Sequence, residues 1–310
     1  MYLCFPTGIR YTLYRLSVYA QIPDEKGGIR YEIDDKKLLF DAGYSDIMIR
    51  NAHSLGVDLK KITHIVLSHG HDDHSKGLKY LFSQFSLPNA TLVAHPGCFA
   101  PRWEQGRYIG SPFSEEEIAK LCLYQPSRTP CYISENCCFL GEIPASNPFE
   151  ERPGTGTVLL DGKEVPDRVL DDSAVVCRTG KGLFIITGCS HSGICNIVEY
   201  ARQVFGCSRI AGIIGGFHLF DADARLYKTI DFLESSSVES MYPCHCVSLR
   251  AKAEMMKHME IKEVGVGLSL SGCLLQGVSR NDMAAVEDAV IVFIGIFTFA
   301  AVRGYELADH

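Results

Sequence analysis

The stretch that decides the fold is residues 62–77, ITHIVLSHGHDDHSKG. Its first part, ITHIVL, is a short apolar run with β-branched residues, which predicts a buried strand. Its second part places three histidines and two aspartates within residues 69–74. Packing does not explain five such side chains, because burying them without partners is costly. Imidazole nitrogens and carboxylate oxygens bind zinc, and they also suit iron and manganese. The stretch therefore predicts a metal site at the end of a strand.

The spacing within this cluster indicates two metal ions rather than one. His69 and His71 lie on either side of Gly70, so their side chains can share one ion. Asp73 and His74 are adjacent and can point to a second ion. Two ions about 3.5–4 Å apart can hold a water molecule, lower its pKa and stabilise the attacking and leaving oxygens of a substrate. Asp73 is therefore a candidate catalytic residue as well as a ligand.

Histidines at the ends of other strands can complete this site, because α/β folds assemble binding sites in such loops. We predict that His191 in FIITGCSHSG and His245 in MYPCHCVS are metal ligands or substrate contacts. His95 in LVAHPG is a possible ligand or support, and His218 in IIGGFHLF is a candidate catalytic residue; for both, a packing role is equally open. We interpret the remaining histidines as structural or solvated, namely His53, His64, His258 and His310.

Strand-like and helix-like patterns alternate along most of the chain. Strand patterns in residues 11–41 precede a helix pattern that stops at Gly56, and further strand–helix pairs occupy residues 173–270. This alternation predicts an α/β fold. Between about residues 97 and 172 the periodicity fades, and Pro, Gly and Ser are frequent. We interpret that stretch as an excursion over the mouth of the site rather than a separate domain.

The composition is that of a globular chain, with 46% hydrophobic and 22% charged residues among 310. A net charge of −7 argues against nucleic acid as the main partner, because binding to phosphate backbones needs a basic face. The 13 cysteines form no CxxC pair, and the N-terminal residues have no signal-like apolar core. Together these features predict free thiols and a cytoplasmic protein.

An apolar segment near the C-terminus, residues 289–302, reads AVIVFIGIFTFAAV. It is shorter than the roughly 20 residues that a helix needs to span a bilayer. We therefore expect a buried strand or helix, or a contact in a homo-oligomer, rather than a membrane anchor.

The motif SHGHDDH resembles the HxHxDH signature of the metallo-β-lactamase superfamily. The upstream KLLFDAG is similar to the superfamily strand whose aspartate, here Asp41, supports the metal site. Within the superfamily, the chain resembles the branch named after 7,8-dihydropterin-6-yl-methyl-4-(β-D-ribofuranosyl)aminobenzene 5′-phosphate synthase. The segments that carry this narrower resemblance extend from about residue 30 to 270 and include NAHSLGVDLKKITHIVLSHGHDDHSKGLKYL, GEIPASNPFE, LDDSAVV, TGCSHSGICNIV and PCHC.

The resemblance implies an αββα sandwich over residues 1–270, followed by an extension of unknown role at residues 271–310. It also implies two divalent ions, zinc by expectation, with manganese or iron as alternatives. The implied ligands are His69, His71 and His191 for one ion, and Asp73, His74 and His245 for the other. Many superfamily members have a bridging aspartate in a TGD motif where this chain has TGC. Cys189 is therefore a possible ligand, or else a small buried residue behind the metals.

An anionic substrate would need free amides or positive charge near the metals. Ser190, Ser192 and the first amides of a helix that begins near Ile194 can hold a phosphate. Ser192 is equally suited to be the N-cap of that helix. Arg102 and Arg107 are candidate anion contacts, because guanidinium groups bind phosphate with two hydrogen bonds.

These features predict a metal-dependent hydrolase that uses a metal-activated water on a small molecule with a phosphate or phosphodiester group. A pterin-type cyclic phosphate is one candidate substrate. A di-iron oxidoreductase on the same fold is less favoured, because His71 stands where such enzymes usually have a carboxylate and no flavin segment is recognisable. A non-catalytic, metal-stabilised binding module is also less favoured, because structural zinc sites are closed and commonly rich in cysteine.

Overall fold

The computed structural model describes residues 32–33, 36–152, 154–272 and 289–292. The strands expected before residue 32, and the apolar residues 293–302, lie outside the described residues. The strands are β1 (Glu32–Ile33), β2 (Lys36–Phe40), β3 (His64–Val66), β4 (Thr91–Ala94), β5 (Arg102–Glu104), β6 (Arg107–Tyr108), β7 (Leu123–Pro126), β8 (Cys131–Ser134), β9 (Cys137–Phe139), β10 (Thr157–Leu160), β11 (Lys163–Pro166), β12 (Ala174–Thr179), β13 (Gly182–Thr187), β14 (Ile210–Gly215), β15 (Met241–Pro243), β16 (Ser269–Gly272) and β17 (Ala289–Val292). The α-helices are α1 (Ile47–Ser54), α2 (Asp72–Ser75), α3 (Gly77–Gln84), α4 (Glu115–Leu121), α5 (Ile194–Phe205), α6 (Ala224–Ser235) and α7 (Leu249–Met255).

Two large sheets form the centre of the fold. The first has the strand order β16-β17-β1-β2-β3-β4-β7, and the second has the order β15-β14-β13-β12-β9-β8. Strands β2, β3 and β4 are parallel, and so are β13, β14 and β15. Parallel strands end at the same edge of a sheet, so the loops that follow them lie side by side. The hairpins β5–β6 and β10–β11 pair into a smaller, separate sheet.

Neighbouring residues of the central strands point to opposite faces, and both faces are covered. In β3, Ile65 packs beneath helices and Val66 packs between the two sheets. In β13 of the second sheet, Ile185 packs beneath helices and Ile186 packs between the two sheets. The outer clusters contain residues of α1, α3 and α4 on the first sheet and of α5, α6 and α7 on the second. This order of layers confirms the predicted αββα sandwich.

The stretch from residue 97 to 172 differs from the predicted excursion. Strand β7 adjoins β4 at the edge of the first sheet, and β9 and β8 extend the second sheet beyond β12. Periodicity did not reveal these strands, because each has only three or four residues and short runs carry little pattern. The two hairpins of the smaller sheet are the part of this stretch that stands apart from both large sheets.

The apolar tail begins as a strand of the first sheet. Ala289–Val292 pairs antiparallel with both β16 and β1, so these four residues belong to the first sheet. Within the described ranges, no helix combines the length and apolar character needed to cross a bilayer. The cysteines of these ranges are free thiols.

Candidate metal centre

The predicted ligands come from loops at the carboxyl ends of parallel strands in both sheets. The loop after β3 and the short helix α2 carry the residues of the histidine-rich motif. The loops after β13, β14 and β15 carry the other candidates, which are Cys189, His191, His218 and His245. The sandwich thus brings together residues that lie far apart in the sequence.

The ligand atoms converge into three groups, in each of which they lie within 4.8 Å of one another. The groups are His69, His71 and Asp73; His69, Cys189 and His191; and His74, Cys189 and His245. All six residues predicted as ligands are therefore brought together, and Cys189 belongs to two of the groups.

The spacing of the ring nitrogens fits common metal ions. His69 Nε2 lies 3.0 Å from His71 Nδ1, and His74 Nε2 lies 3.2 Å from His245 Nε2. A tetrahedral zinc ion with bonds of about 2.0–2.1 Å to nitrogen holds its nitrogen ligands about 3.3 Å apart. The observed pairs lie close to that separation.

Two buried ring nitrogens, His71 Nε2 and His191 Nε2, have no hydrogen-bond partner among the described residues. The two residues are only 7% and 9% exposed. A buried polar atom without a partner costs about 1–3 kcal/mol, which makes these rings poor packing residues and suitable metal ligands. The residues present therefore fit a metal site.

Asp41 orients two of the histidines. Its carboxylate accepts hydrogen bonds from His74 Nδ1 and from Ser68 Oγ, both at 2.7 Å. Because Ser68 Oγ has donated its only proton, it accepts one from His69 Nδ1 at 2.9 Å. Both Nδ1 atoms thus donate outward, and the Nε2 atoms of His69 and His74 are left to face the centre. Asp41 is therefore linked to two candidate ligands, directly to His74 and through Ser68 to His69, and its role as a support of a metal site stays a prediction.

Burial and charge separate the pKa values of the histidines. Burial lowers the pKa of His191 and lowers that of His71 to about 4, so both rings are neutral, as metal ligands must be. Burial also disfavours the charged form of His74, but the carboxylates of Asp73 and Asp41 outweigh it and raise the pKa to about 10. In the metal-free protein His74 therefore carries an Nε2 proton, which has to leave when a cation binds.

Four residues of the site have a left-handed backbone, namely Asp41, Ser190, His218 and His245, with φ between 51° and 56°. A non-glycine residue adopts this conformation at a cost on the order of 1–3 kcal/mol. Such strain persists where the surrounding structure enforces it, and it concentrates at functional sites. These loops are therefore shaped to place side chains rather than to maximise stability.

Comparison with known proteins agrees with the fold and the motif. A sequence profile described as the metallo-beta-lactamase superfamily matches residues 29–202. The chain belongs to the metallo-β-lactamase superfamily.

Relatives within the superfamily include two proteins of Methanocaldococcus jannaschii. One is uncharacterised and 36% identical over 229 residues, which cover 72% of this chain and 84% of the relative. The other is named 7,8-dihydropterin-6-methyl-4-(beta-D-ribofuranosyl)-aminobenzene-5'-phosphate synthase and is 34% identical over 251 residues, which cover 77% of this chain and 82% of the relative. A solved structure described as a metal-dependent hydrolase of the beta-lactamase superfamily is 30% identical, with a TM-score of 0.65, and the match covers 74% of this chain and 87% of that one. These findings confirm the predicted superfamily and the resemblance to the synthase branch.

Arg102 is not placed as an anion contact, which corrects the prediction. Its guanidinium is buried between Asp171, at 2.6 Å, and Asp167, at 2.9 Å. Asp171 also accepts a hydrogen bond from the Gly70 amide at 2.8 Å. A Cβ atom at Gly70 would lie 2.0 Å from the carbonyl oxygen of Cys98, so the motif turn needs glycine at this close approach. Arg102 holds that turn through its ion pairs and has no face left for a substrate.

The first amides of α5 are also occupied, contrary to the predicted phosphate site. The Glu150 carboxylate accepts hydrogen bonds from the amides of Cys195 and Asn196, at 2.9 and 2.7 Å. The chain's own carboxylate thus fills the position that an anion would take.

The two serines before α5 serve the loop and not an anion. The amide and hydroxyl of Ser192 donate to Asp172, and the hydroxyl of Ser190 donates to the carbonyl of Gly216 at 2.6 Å. The alternative role of Ser192 as N-cap is wrong as well, because Gly193 is the N-cap residue. Both serines are fully buried, so the predicted anion contact at Ser190 and Ser192 is corrected.

His95 lies outside the metal-ligand groups found among the described residues. Its Nδ1 accepts from the Gly97 amide at 3.0 Å, and its Nε2 lies 3.0 Å from the guanidinium of Arg128. Both ring nitrogens are engaged within the neighbouring loops. The prediction of His95 as a ligand or support of the metal site is therefore corrected.

Two other predicted residues stand at the edge of the centre. The ring centroid of His218 lies 4.5 Å from that of His191. Burial lowers the pKa of His218 to about 4, and the charge of Arg225 adds to this effect.

Arg107 is half exposed, donates to the Tyr44 hydroxyl at 3.0 Å and lies 3.5 Å from Asp72. The catalytic role of His218 and the anion contact of Arg107 stay predictions.

Sequence reasoning missed the acids that hold these loops in place, which are Glu150, Asp167, Asp171 and Asp172. A signal was available, because two aspartates directly precede the apolar run SAVV, and charge at the start of a buried strand demands a partner. The partners themselves, Arg102, Gly70 and Ser192, are distant in sequence and could not be read from it.

Proposed function

We propose that this protein is a hydrolase that binds two divalent metal ions and acts on a small molecule with a phosphate or phosphodiester group. The observation that carries the proposal is the convergence of the six predicted ligands into groups whose ligand atoms lie within 4.8 Å of one another. The buried His191 Nε2, which lacks a partner in the described part of the chain, supports it. Histidine and aspartate donors favour zinc, with manganese or iron as alternatives.

The chain's own residues divide the work around such a centre. When bound, two divalent ions would lower the pKa of a water molecule and neutralise charge on the reacting oxygens. Asp73 Oδ2 lies 3.4 Å from His245 Nε2, and the Asp73 side chain is 35% exposed, so it faces the open side where a substrate would enter. His218, which is neutral near pH 7, can donate a hydrogen bond to a substrate oxygen or accept a proton from it.

The phosphate group in this proposal has two supports. The named relative is a synthase of a compound with a ribofuranosyl 5'-phosphate, and we extend that feature to the ligand of this chain. Arg107 supplies a half-exposed guanidinium beside Asp72, the residue before the ligand Asp73. A guanidinium at the rim can bind a phosphate without blocking the metals.

A second candidate is a synthase reaction like the one for which the 34% identical relative is named. In that reaction the same centre would stabilise negative charge during the formation of a bond between two substrates. In hydrolysis it would stabilise negative charge during the cleavage of a bond by water. We favour hydrolysis because a 30% identical solved relative is described as a metal-dependent hydrolase. A coupling reaction needs a second organic substrate, so turnover of a single phosphoester in water separates the two candidates.

Removal and return of metal test the proposal directly. The protein is stripped with a chelator, reloaded with zinc, manganese or iron, and assayed on phosphomonoesters, phosphodiesters and cyclic phosphates. We expect no turnover without metal and recovery with one of the three. Protein that holds two ions per chain and hydrolyses none of these esters would contradict hydrolysis. Elemental analysis of protein expressed without added metal separates zinc from the di-iron alternative.

The variant His71→Ala links activity to the proposed ligands. We expect more than about a 100-fold loss of turnover, because even residues that only support metal ligands cost 10–100-fold when changed. The circular dichroism spectrum should stay that of the wild type. His53→Ala, on the exposed side of α1, is the matched control and should retain full activity. Equal activity of His71→Ala and the wild type would refute the ligand assignment.

A further inference from the structure

We infer that Cys189 Sγ is a thiolate ligand shared by both metal ions. The inference rests on the proposed function and goes beyond it, because it assigns the atom that connects the two halves of the centre and predicts which metals the centre prefers.

The position of Cys189 carries the first step. Its Sγ lies within 4.8 Å of ring nitrogens of His69 and His191, and within the same distance of ring nitrogens of His74 and His245. Cys189 is the residue common to these two groups. A single sulfur atom is thus in reach of two pairs of imidazoles, each of which can hold one ion.

The distance from Sγ to one of these imidazoles is close to that of coordination. Sγ lies 3.2 Å from His74 Nε2. With bonds of about 2.3 Å to sulfur and 2.0–2.1 Å to nitrogen, a tetrahedral zinc ion separates the two ligand atoms by about 3.5 Å. The observed contact needs only a small adjustment to reach that geometry.

The surroundings of Cys189 differ from those of every other buried cysteine in the described part of the chain. The others pack within the three hydrophobic clusters of the sandwich, and they are Cys98, Cys122, Cys137, Cys138, Cys177, Cys195 and Cys244. Cys189 is just as buried, at 4% exposed, but belongs to none of these clusters. Its role is therefore not that of a small apolar core residue.

The backbone holds Cys189 against the motif. A Cβ atom at the preceding Gly188 would lie 2.1 Å from Ser68 Oγ, so glycine lets the end of β13 approach the residue that orients His69. The carbonyl of Cys189 is contacted by Cys246 Sγ at 3.4 Å. These contacts hold the backbone of Cys189 against the motif loop.

A shared thiolate changes the metal preference of the centre. Sulfur ligands favour zinc and cobalt over manganese and magnesium, which prefer oxygen. We therefore expect that manganese competes weakly with zinc in the wild type and more strongly in Cys189→Asp.

Cobalt titration of the metal-stripped protein tests the inference by absorbance. A thiolate on cobalt produces a near-ultraviolet charge-transfer band, whereas imidazole and carboxylate do not. We expect the band to grow through the first and the second equivalent of cobalt, since both ions contact the same sulfur. Cys189→Ser should lose the band. Cys189→Asp, which replaces the thiolate with a carboxylate, should bind two cobalt ions without it.

Two control variants identify the sulfur. Cys246→Ser removes the neighbouring thiol, and Cys195→Ser removes a buried thiol on α5; both should keep the band. A band that survives in Cys189→Ser, or that disappears in Cys246→Ser alone, would overturn the assignment. A band complete after the first equivalent would overturn the sharing.

The outcomes separate this inference from the proposed function. Wild-type protein that binds two cobalt ions and shows no band overturns the thiolate ligand and leaves the hydrolase proposal standing. Protein that binds no cobalt, zinc or manganese overturns both. Should Cys189→Ser fail to fold, the Cys189→Asp variant and the wild-type titration still decide the question.

Discussion

Two buried polar clusters touch the same motif loop and have opposite characters. The histidine cluster consists of His69, His71, His74, His191 and His245; the arginine cluster consists of Arg102, Asp167 and Asp171. In the arginine cluster, opposite charges pair at 2.6 and 2.9 Å. In the histidine cluster, like groups face each other, and two ring nitrogens find no partner within the described residues. Gly70 lies between the clusters, and its amide donates to Asp171.

The difference in charge pairing indicates that the arginine cluster supports the motif loop, whereas the histidine cluster is suited to bind a ligand. A buried ion pair that satisfies its own charges needs nothing from outside and can hold a loop in place. A buried group of imidazoles in which some ring nitrogens lack a partner is costly until a cation binds. The protein therefore uses the closed cluster to position the open one.

The largest effect that we expect from breaking this arrangement is on stability. Arg102→Leu leaves two buried carboxylates without their partner, and losing one member of a buried ion pair costs about 3–5 kcal/mol. Urea denaturation of the metal-free protein measures this loss without a contribution from bound ions. A loss below about 1 kcal/mol would show that the arginine cluster is not a support.

Acid sharpens the same prediction. The charge of Arg102 overcomes the effect of burial and lowers the pKa of Asp171 from 3.8 to about 2. A carboxyl whose pKa is lower in the folded state contributes stability above its unfolded pKa and loses it as the pH falls through the folded value. Wild-type protein should therefore lose this contribution between about pH 4 and pH 2. Arg102→Leu combined with Asp171→Asn should show a weaker dependence in that range.

An intermediate effect is expected on metal affinity when the open cluster loses its orienting carboxylate. Asp41→Asn weakens the acceptor for His74 Nδ1 and Ser68 Oγ. Outer partners of metal-bound histidines contribute about 10–100-fold to affinity, and isothermal titration with zinc measures the change. Asp46→Asn, at a half-buried residue paired with Arg50, is the control. Unchanged zinc affinity in Asp41→Asn would remove Asp41 from the site.

The smallest effect on stability should come from the second arginine of the same hairpin. Arg107→Leu removes an exposed guanidinium that lies 3.5 Å from Asp72, and such surface pairs contribute about 0–1 kcal/mol. Its effect should instead be a several-fold increase in KM for a phosphoester, with kcat preserved. Arg50→Leu is the matched control on α1. An unchanged KM would exclude Arg107 as a substrate contact.

The two arginines show where sequence-based prediction ended. Arg102 and Arg107 lie five positions apart, and both were predicted as anion contacts on the same reasoning. In the folded chain Arg102 lies in the interior beside two aspartates, whereas Arg107 lies at the rim of the site. Whether a guanidinium is available depends on its neighbours in space, and the two aspartates that enclose Arg102 lie more than 60 positions away in the sequence.

The same limit explains the error at the start of α5. The sequence GCSHSGI predicts a helix start with open amides, and the helix is present. Glu150, more than 40 positions earlier, occupies those amides. No local sequence pattern predicts that the carboxylate of a residue so distant in sequence binds these amides.

The amino-acid sequence by itself indicated the α/β class and the residue types of the candidate centre, and its resemblance to the superfamily implied the αββα layers. Alternating strand and helix patterns, a run of histidines and aspartates after β3, and histidines at other strand ends are local patterns that can be read without knowledge of contacts. Tertiary structure alone decided which polar groups face one another. It separated the paired arginine cluster from the open histidine cluster and brought Cys189 between two pairs of imidazoles, because parallel strands of two sheets end at one edge. Proximity between distant residues is a property of that packing.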